Sequence, residues 1–78
     1  MKELHVVTRQ GRMTLLPGNK FKTTDDEMEL CTFQYIGRVD GIGGRDVYVH
    51  DLTNDRYFDV SKRWFQHRIV QIVTAKYA

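Results

Sequence analysis

From Cys31 onward the apolar residues fall at every second position, a period met by an extended chain with one face buried. Cys31, Phe33, Tyr35 and Val39 share one face, with Thr32, Gln34 and Arg38 on the other. Gly37 falls on the apolar face, where a glycine inside a strand marks a bend or bulge. After the run Gly41-Ile42-Gly43-Gly44, which ends this strand, Val47 and Val49 alternate with Asp46, Tyr48 and His50. Thr53-Asn54-Asp55-Arg56 is a polar loop of hairpin length, and Tyr57-Phe58-Asp59-Val60 returns with Phe58 and Val60 inward.

The flanks carry the same kind of signal. Leu4–Thr8 is rich in β-branched residues, and Gln10-Gly11 turns it into a return strand over residues 13–16. Pro17-Gly18 suits the central positions of a type II turn, with Phe21 as the anchor after it. Thr24 with Glu27 fits a capping box, but too few residues follow for more than one helical turn or an acidic loop. Ser61 caps a single helical or 3₁₀ turn through Lys62-Arg63-Trp64-Phe65. Ile69-Val70-Gln71-Ile72-Val73 reads as a strong final strand. The expected fold is therefore mainly β, with five to six strands and a one-turn helix near residues 61–66. This order of elements, over roughly residues 13–73, resembles an SH3-like barrel, the architecture shared by SH3, Tudor and KOW-type modules; an OB-type barrel is the alternative. Closure removes exposed strand edges. Neither the peptide-groove motif of signalling SH3 domains nor the glycine signature of KOW segments is recognisable.

Length limits how much such a fold can hold. A chain of 78 residues buries only about 60–65% of its unfolded surface, which suits one small domain over residues 1–78. A homodimer would suit so small a core. No stretch approaches the roughly 18 apolar residues of a membrane span, and no apolar signal-peptide segment follows Met1-Lys2-Glu3-Leu4. The lone cysteine, Cys31, forms no internal disulfide and no cysteine zinc site, and a reducing cytoplasm is the expected compartment.

The formal charge of +2 conceals segregation. Before residue 25 five basic residues face Glu3 alone; residues 25–59 hold nine carboxylates against three arginines; after Val60 there are four basic residues and no acid. Such asymmetry favours an electrostatic partner. In small barrels the first and last strands are often neighbours, which would join Arg9, Arg12, Lys20 and Lys22 to Lys62, Arg63 and Arg68 in one basic surface.

Catalytic and metal chemistry finds little purchase. Asp51, Asp55 and Asp59 recur every fourth residue, but a calcium loop counted from Asp51 would need glycine where Arg56 stands and glutamate where Lys62 stands. A solvated acidic face is the better reading. His5, His50 and His67 have no metal-ligand spacing, so no metal and no cofactor are expected. Cys31 reads as an inert core thiol. Gly41-Ile42-Gly43-Gly44 lies between Asp40 and Asp46 and leads into a strand, so it is a hairpin tip and not a phosphate cradle. The chain is expected not to be an enzyme.

The richest stretch is residues 56–68, with four of the nine aromatic and four of the twelve basic residues. With Phe58, Val60 and one of Trp64 or Phe65 inward, Tyr57, Lys62, Arg63, Gln66, His67 and Arg68 are left to face solvent. Basic groups beside aromatic faces suit nucleic acid, RNA more than duplex DNA, because cations release counterions from phosphates and rings stack on unpaired bases. The expected contact residues are Arg9, Arg12, Lys20, Lys22, Arg56, Tyr57, Lys62, Arg63, Trp64, His67 and Arg68. The alternative is a small protein-binding regulator or inhibitor acting on a host protein, of the kind encoded by phages and mobile elements, because Trp, Tyr and Arg also dominate protein contacts. In that case the acidic run from Asp25 to Glu29 or the exposed aromatics would make the contact. In a purely structural role, Trp64 and Phe65 would plug the end of the barrel.

Overall fold

A computed structural model of the chain describes residues 3–73. Seven strands form two antiparallel sheets: β1 (Leu4–Thr8), β2 (Gly11–Leu15), β3 (Lys20–Thr24), β4 (Leu30–Arg38), β5 (Val47–Asp51), β6 (Arg56–Val60) and β7 (Gln71–Ile72). β1 and β2 make a separate hairpin, while the other five strands run in the order β6-β5-β4-β3-β7. Short 3₁₀ turns occupy Ile42–Gly44 and Lys62–Phe65. Among the described residues no helix is long and apolar enough to cross a membrane.

The period-two pattern does its work in β4 and β5. Cys31, Phe33, Tyr35, Val47 and Val49 are all buried, and Phe21 of β3 and Phe65 complete the aromatic centre of the core. Phe21 stacks on Phe33 at 5.6 Å between ring centroids and meets Phe65 at 5.8 Å. Burying one such side chain contributes about 1.5–3 kcal/mol, so the centre carries much of the stability of so small a domain. Val39 departs from the expectation of a buried face. The β4–β5 register shifts between Tyr35 and Gly37, so one extra residue turns the end of the strand over and leaves Val39 exposed.

The turns follow their residues. Gly18 takes φ +95, and the Asn19 N–H donates to the Leu16 carbonyl at 2.9 Å, closing the expected Pro17-Gly18 turn. Gly41 has a different reason: a Cβ there would collide with the Arg45 carbonyl oxygen. The 25–29 segment is a loop and not a helix. The Asp25 Oδ1 accepts from the N–H groups of Glu27 and Glu29, both at 2.9 Å. Met28 takes φ +65 and the Asp25 N–H donates to the Glu29 carbonyl at 2.9 Å, so the chain turns back into β4 instead of continuing as a helix.

The final strand is much shorter than its apolar run suggested. Among the described residues only Gln71 and Ile72 join the ladder, with Lys22 and Phe21, and the Val73 N–H adds one bond to the Lys20 carbonyl at 2.8 Å; Ile69, Ile72 and Val73 are exposed and Val70 is buried. β7 therefore closes against β3 and not β1. The N-terminal hairpin is held instead by the Arg9 N–H on the Arg68 carbonyl at 3.0 Å and by the Val70 N–H on Gln10 Oε1 at 2.9 Å.

Candidate binding groove

The 62–65 turn carries Trp64 and Phe65 in opposite roles. Phe65 is fully buried, whereas Trp64 is half-buried and packs edge-on against Phe33 at 5.4 Å and Phe65 at 5.0 Å. Ser61 precedes the turn without a side-chain cap; the bond from the Trp64 N–H to the Ser61 carbonyl, 3.0 Å, starts it. Beside Trp64, the alternate residues Arg56, Phe58 and Val60 of β6 face the same side, with the Arg56 guanidinium 5.4 Å from the centre of the Phe58 ring. Phe33, Phe58 and Trp64 thus floor an open groove of about 960 Å³.

The two ends of the groove differ in charge. At the Arg56 end stands the acidic 25–27 loop, where the Trp64 Nε1–H donates to Asp26 Oδ1 at 3.3 Å and the charge of Arg56 reaches Asp25. At the Val60 end lie Arg45 and Asp46, with Lys62 close enough to influence Asp46 electrostatically. In all, the lining holds Asp25, Asp26, Glu27, Asp46 and Asp59 against Arg45, Arg56, Lys62 and Arg63, with His67 beside them.

Asp25 is held below the ordinary carboxylate value of 3.8, chiefly by the Glu29 N–H; burial opposes this, and the Glu27 N–H, the Cys31 thiol and Arg56 add to it. Asp46 is lowered too, first by its hydrogen bond from Arg38. Because the folded value lies below the unfolded one, the stabilisation is present above the unfolded value and lost as pH falls through the folded value. Asp25→Asn is therefore expected to be less stable than the parent at neutral pH, and the two should converge in urea melts as pH drops below about 4. A constant gap down to about pH 2 would contradict this role of the ionised group.

Of the residues expected to make contacts, Arg56, Lys62, Arg63, Trp64 and His67 come together in this groove. Arg9 and Arg12 lie on the N-terminal hairpin and are exposed. Lys20 and Lys22 are exposed on β3, opposite Gln34 and Thr32. Tyr57 points to the other face of β6, where its ring stacks on His50 at 4.0 Å and more loosely on Tyr48 at 5.8 Å.

Arg68 corrects the expectation that it faces solvent. Its side chain is 16% exposed and lies over the Trp64 ring at 4.1 Å. Its Nε donates to the Trp64 carbonyl at 2.7 Å, and the guanidinium also bonds the Thr24 and Asp25 carbonyls and Asp26. It is a clamp between the 62–65 turn and the acidic loop, not a free cation. The spacing of Trp64 and Arg68, four residues apart in a turn, was the available signal for this contact.

Asp51 corrects the reading of a solvated acidic face. It is fully buried, and its Oδ1 accepts from the N–H groups of Thr53 and Asn54 at 3.0 and 3.1 Å. Its Oδ2 accepts from Asn54 Nδ2 at 3.0 Å and lies 3.7 Å from Arg56. The same Asn54 amide reaches Cys31 Sγ at 3.6 Å, and that thiol lies 3.7 Å from Asp25 Oδ2. Burial first, then the charges of Asp51 and Asp25, pushes the Cys31 thiol up, so little reactive thiolate forms. Among the groove residues that the sequence reading missed are Phe33, Phe58, Arg45, Asp46 and Asp59. Comparison with protein-family models, with curated proteins and with solved structures finds no match to this chain.

Proposed function

We propose that the chain is a small non-enzymatic binding module that takes a polypeptide segment of a partner protein in the groove beside Trp64. The observation that carries this reading is the charge balance around an aromatic floor: five carboxylates against four permanent cations. A nucleic acid presents negative charge at every phosphate, and a lining of that balance offers it little counterion release. A protein segment brings both signs together with apolar side chains, and Trp and Arg are where protein contacts concentrate their energy. A regulator or inhibitor of a host protein is the role that fits such a module.

Two finer features belong to the same proposal. A five-stranded sheet whose last strand returns to its first, with a 3₁₀ turn just before that strand, supports an SH3-like barrel over an OB-type one. RNA binding remains the second reading, favoured by one observation. Lys20, Gln34, His50 and Tyr57 are paired in register across four strands, which aligns a lysine with an aromatic pair on one face of the sheet.

The test is affinity purification from host extract treated with nuclease, with the parent and a Lys62→Glu/Arg63→Glu variant side by side. Both positions are exposed, so the variant keeps its fold. The parent should retain a defined protein that the variant binds at least about tenfold more weakly, on the order of 1.4 kcal/mol. Trp64 is the sole tryptophan, and its emission should shift when that protein is added. Recovery of RNA in place of a protein, with a steep salt dependence, would overturn the proposal in favour of the second reading.

A further inference from the structure

β6 is an outer strand of the five-stranded sheet, and it pairs with β5 without interruption from Arg56↔Asp51 to Val60↔Val47. Among the described residues, no group outside β5 bonds its main chain. Alternate residues of such a strand aim their N–H and C=O groups away from the sheet, a ready template for another strand. Proline, a bulge or a covering segment commonly protects an edge of this kind, and β6 has none of these among the described residues. Its arginine leans along the groove side of the strand, over Phe58 and 3.7 Å from Asp51, and leaves the main-chain edge uncovered while more than half of its side chain stays exposed.

The free edge and the groove belong to the same strand, so their demands on an occupant combine. Resting on the reading of the groove as a peptide site, we propose that the partner segment enters as an added strand on β6. Its main chain bonds the free edge, and its alternate side chains drop into the groove over Phe58 and Trp64. Strand addition of this kind takes affinity from the main chain and specificity from the pockets. Charge fixes the chemistry of the occupant: a basic side chain toward the 25–27 loop, an apolar one over the rings, and an acidic one toward Arg45 and Lys62. At about 3.4 Å per residue, the five residues of β6 match a segment of five or six residues.

The probe is a peptide selected on the purified protein from a displayed random library of about 12 residues, then synthesised with single N-methyl groups along its length. The selected sequences should place basic, apolar and acidic residues two apart. N-methylation should cut affinity about tenfold at alternate positions and have little effect at those between, a period of two that a helix or irregular loop would not give. Amide exchange should slow at alternate residues of β6 in the complex. Should binding need Lys62 and Arg63 but the methyl scan show no alternation, strand addition is wrong while the peptide site stands. If no peptide is selected, or its binding ignores Lys62→Glu/Arg63→Glu, both fall. Should the protein alone sediment as a dimer that loses exchange protection at β6 on dilution, the occupant is a second copy and the proposed foreign partner is excluded.

Discussion

Asp51→Ala, at the end of β5, should lower the stability of the domain by about 3 kcal/mol. The substitution strands the N–H groups of Thr53 and Asn54 and the Asn54 amide, which share that one carboxyl group at 3.0 to 3.1 Å inside the fold. A domain of this size holds roughly 4–12 kcal/mol in total, so the loss is a large share of it. In thermal melts it corresponds to a drop of roughly 12–24 °C. Asp51→Asn keeps one acceptor but turns an amide donor toward the Asn54 donor, so it should fall between the parent and Asp51→Ala. Asp55→Asn, on an exposed side chain, should change stability by less than about 0.5 kcal/mol. Equal effects at Asp51 and Asp55 would show that burial does not set the difference. The loop that Asp51 organises fixes the β5–β6 register, and that register puts Arg56, Phe58 and Val60 on the groove side. Damage here should therefore reach binding through geometry as well as stability.

Arg68→Ala should cost about 3 kcal/mol as well, from lost charge-assisted hydrogen bonds and a lost cation–π contact. It should also shift Trp64 emission to the red, because the guanidinium that covers one face of the indole is gone. Arg68→Lys should recover little, since an ammonium has no planar fork to span the Thr24, Asp25 and Trp64 carbonyls together with Asp26. Lys62→Ala and Arg63→Ala, on exposed side chains of the same turn, should leave both the melt and the emission unchanged. If Arg68→Ala melts like the parent, the clamp is not a structural element and Arg68 returns to the list of partner contacts. Urea titration followed by fluorescence measures stability and emission in one experiment.

The strands of the core were legible in the sequence because a period of two survives any sheet arrangement. Phe33, Tyr35, Val47 and Val49 face inward whichever strand lies beside them. What was not legible depended on contacts between distant segments. The apolar composition of residues 69–73 promised a long strand, yet pairing there needs a partner edge, and among the described residues β3 pairs only Phe21 and Lys22 with β7, with one further bond from the Val73 N–H to the Lys20 carbonyl. Asp51 and Asp55 look alike in sequence; one is drawn into its own loop and the other is left in water. The candidate site divided in the same way. Arg56, Lys62, Arg63, Trp64 and His67 are local neighbours, and the groove keeps them together. Phe33 and the 25–27 loop come from distant parts of the chain, Phe33 through the β4 pairing and its ring contact with Trp64, the loop through the bonds of Trp64 and Arg68 to Asp26.

The attachment of the N-terminal hairpin to residues 68–70 sets an order of events during synthesis. β1 and β2 are complete once residue 15 has been made, but their anchors, the Arg68 carbonyl and the Val70 N–H, come about 55 residues later. At translation rates of 5–20 residues per second, that is an interval of roughly three to ten seconds. Throughout it Leu4, Val6 and Leu15, all buried in the finished domain, lack Phe65 and Val70 of the same core. The nascent hairpin is thus incompletely covered and unanchored while the ribosome pauses between residues 15 and 68. Slowing elongation between residues 15 and 70 should increase its dependence on chaperones.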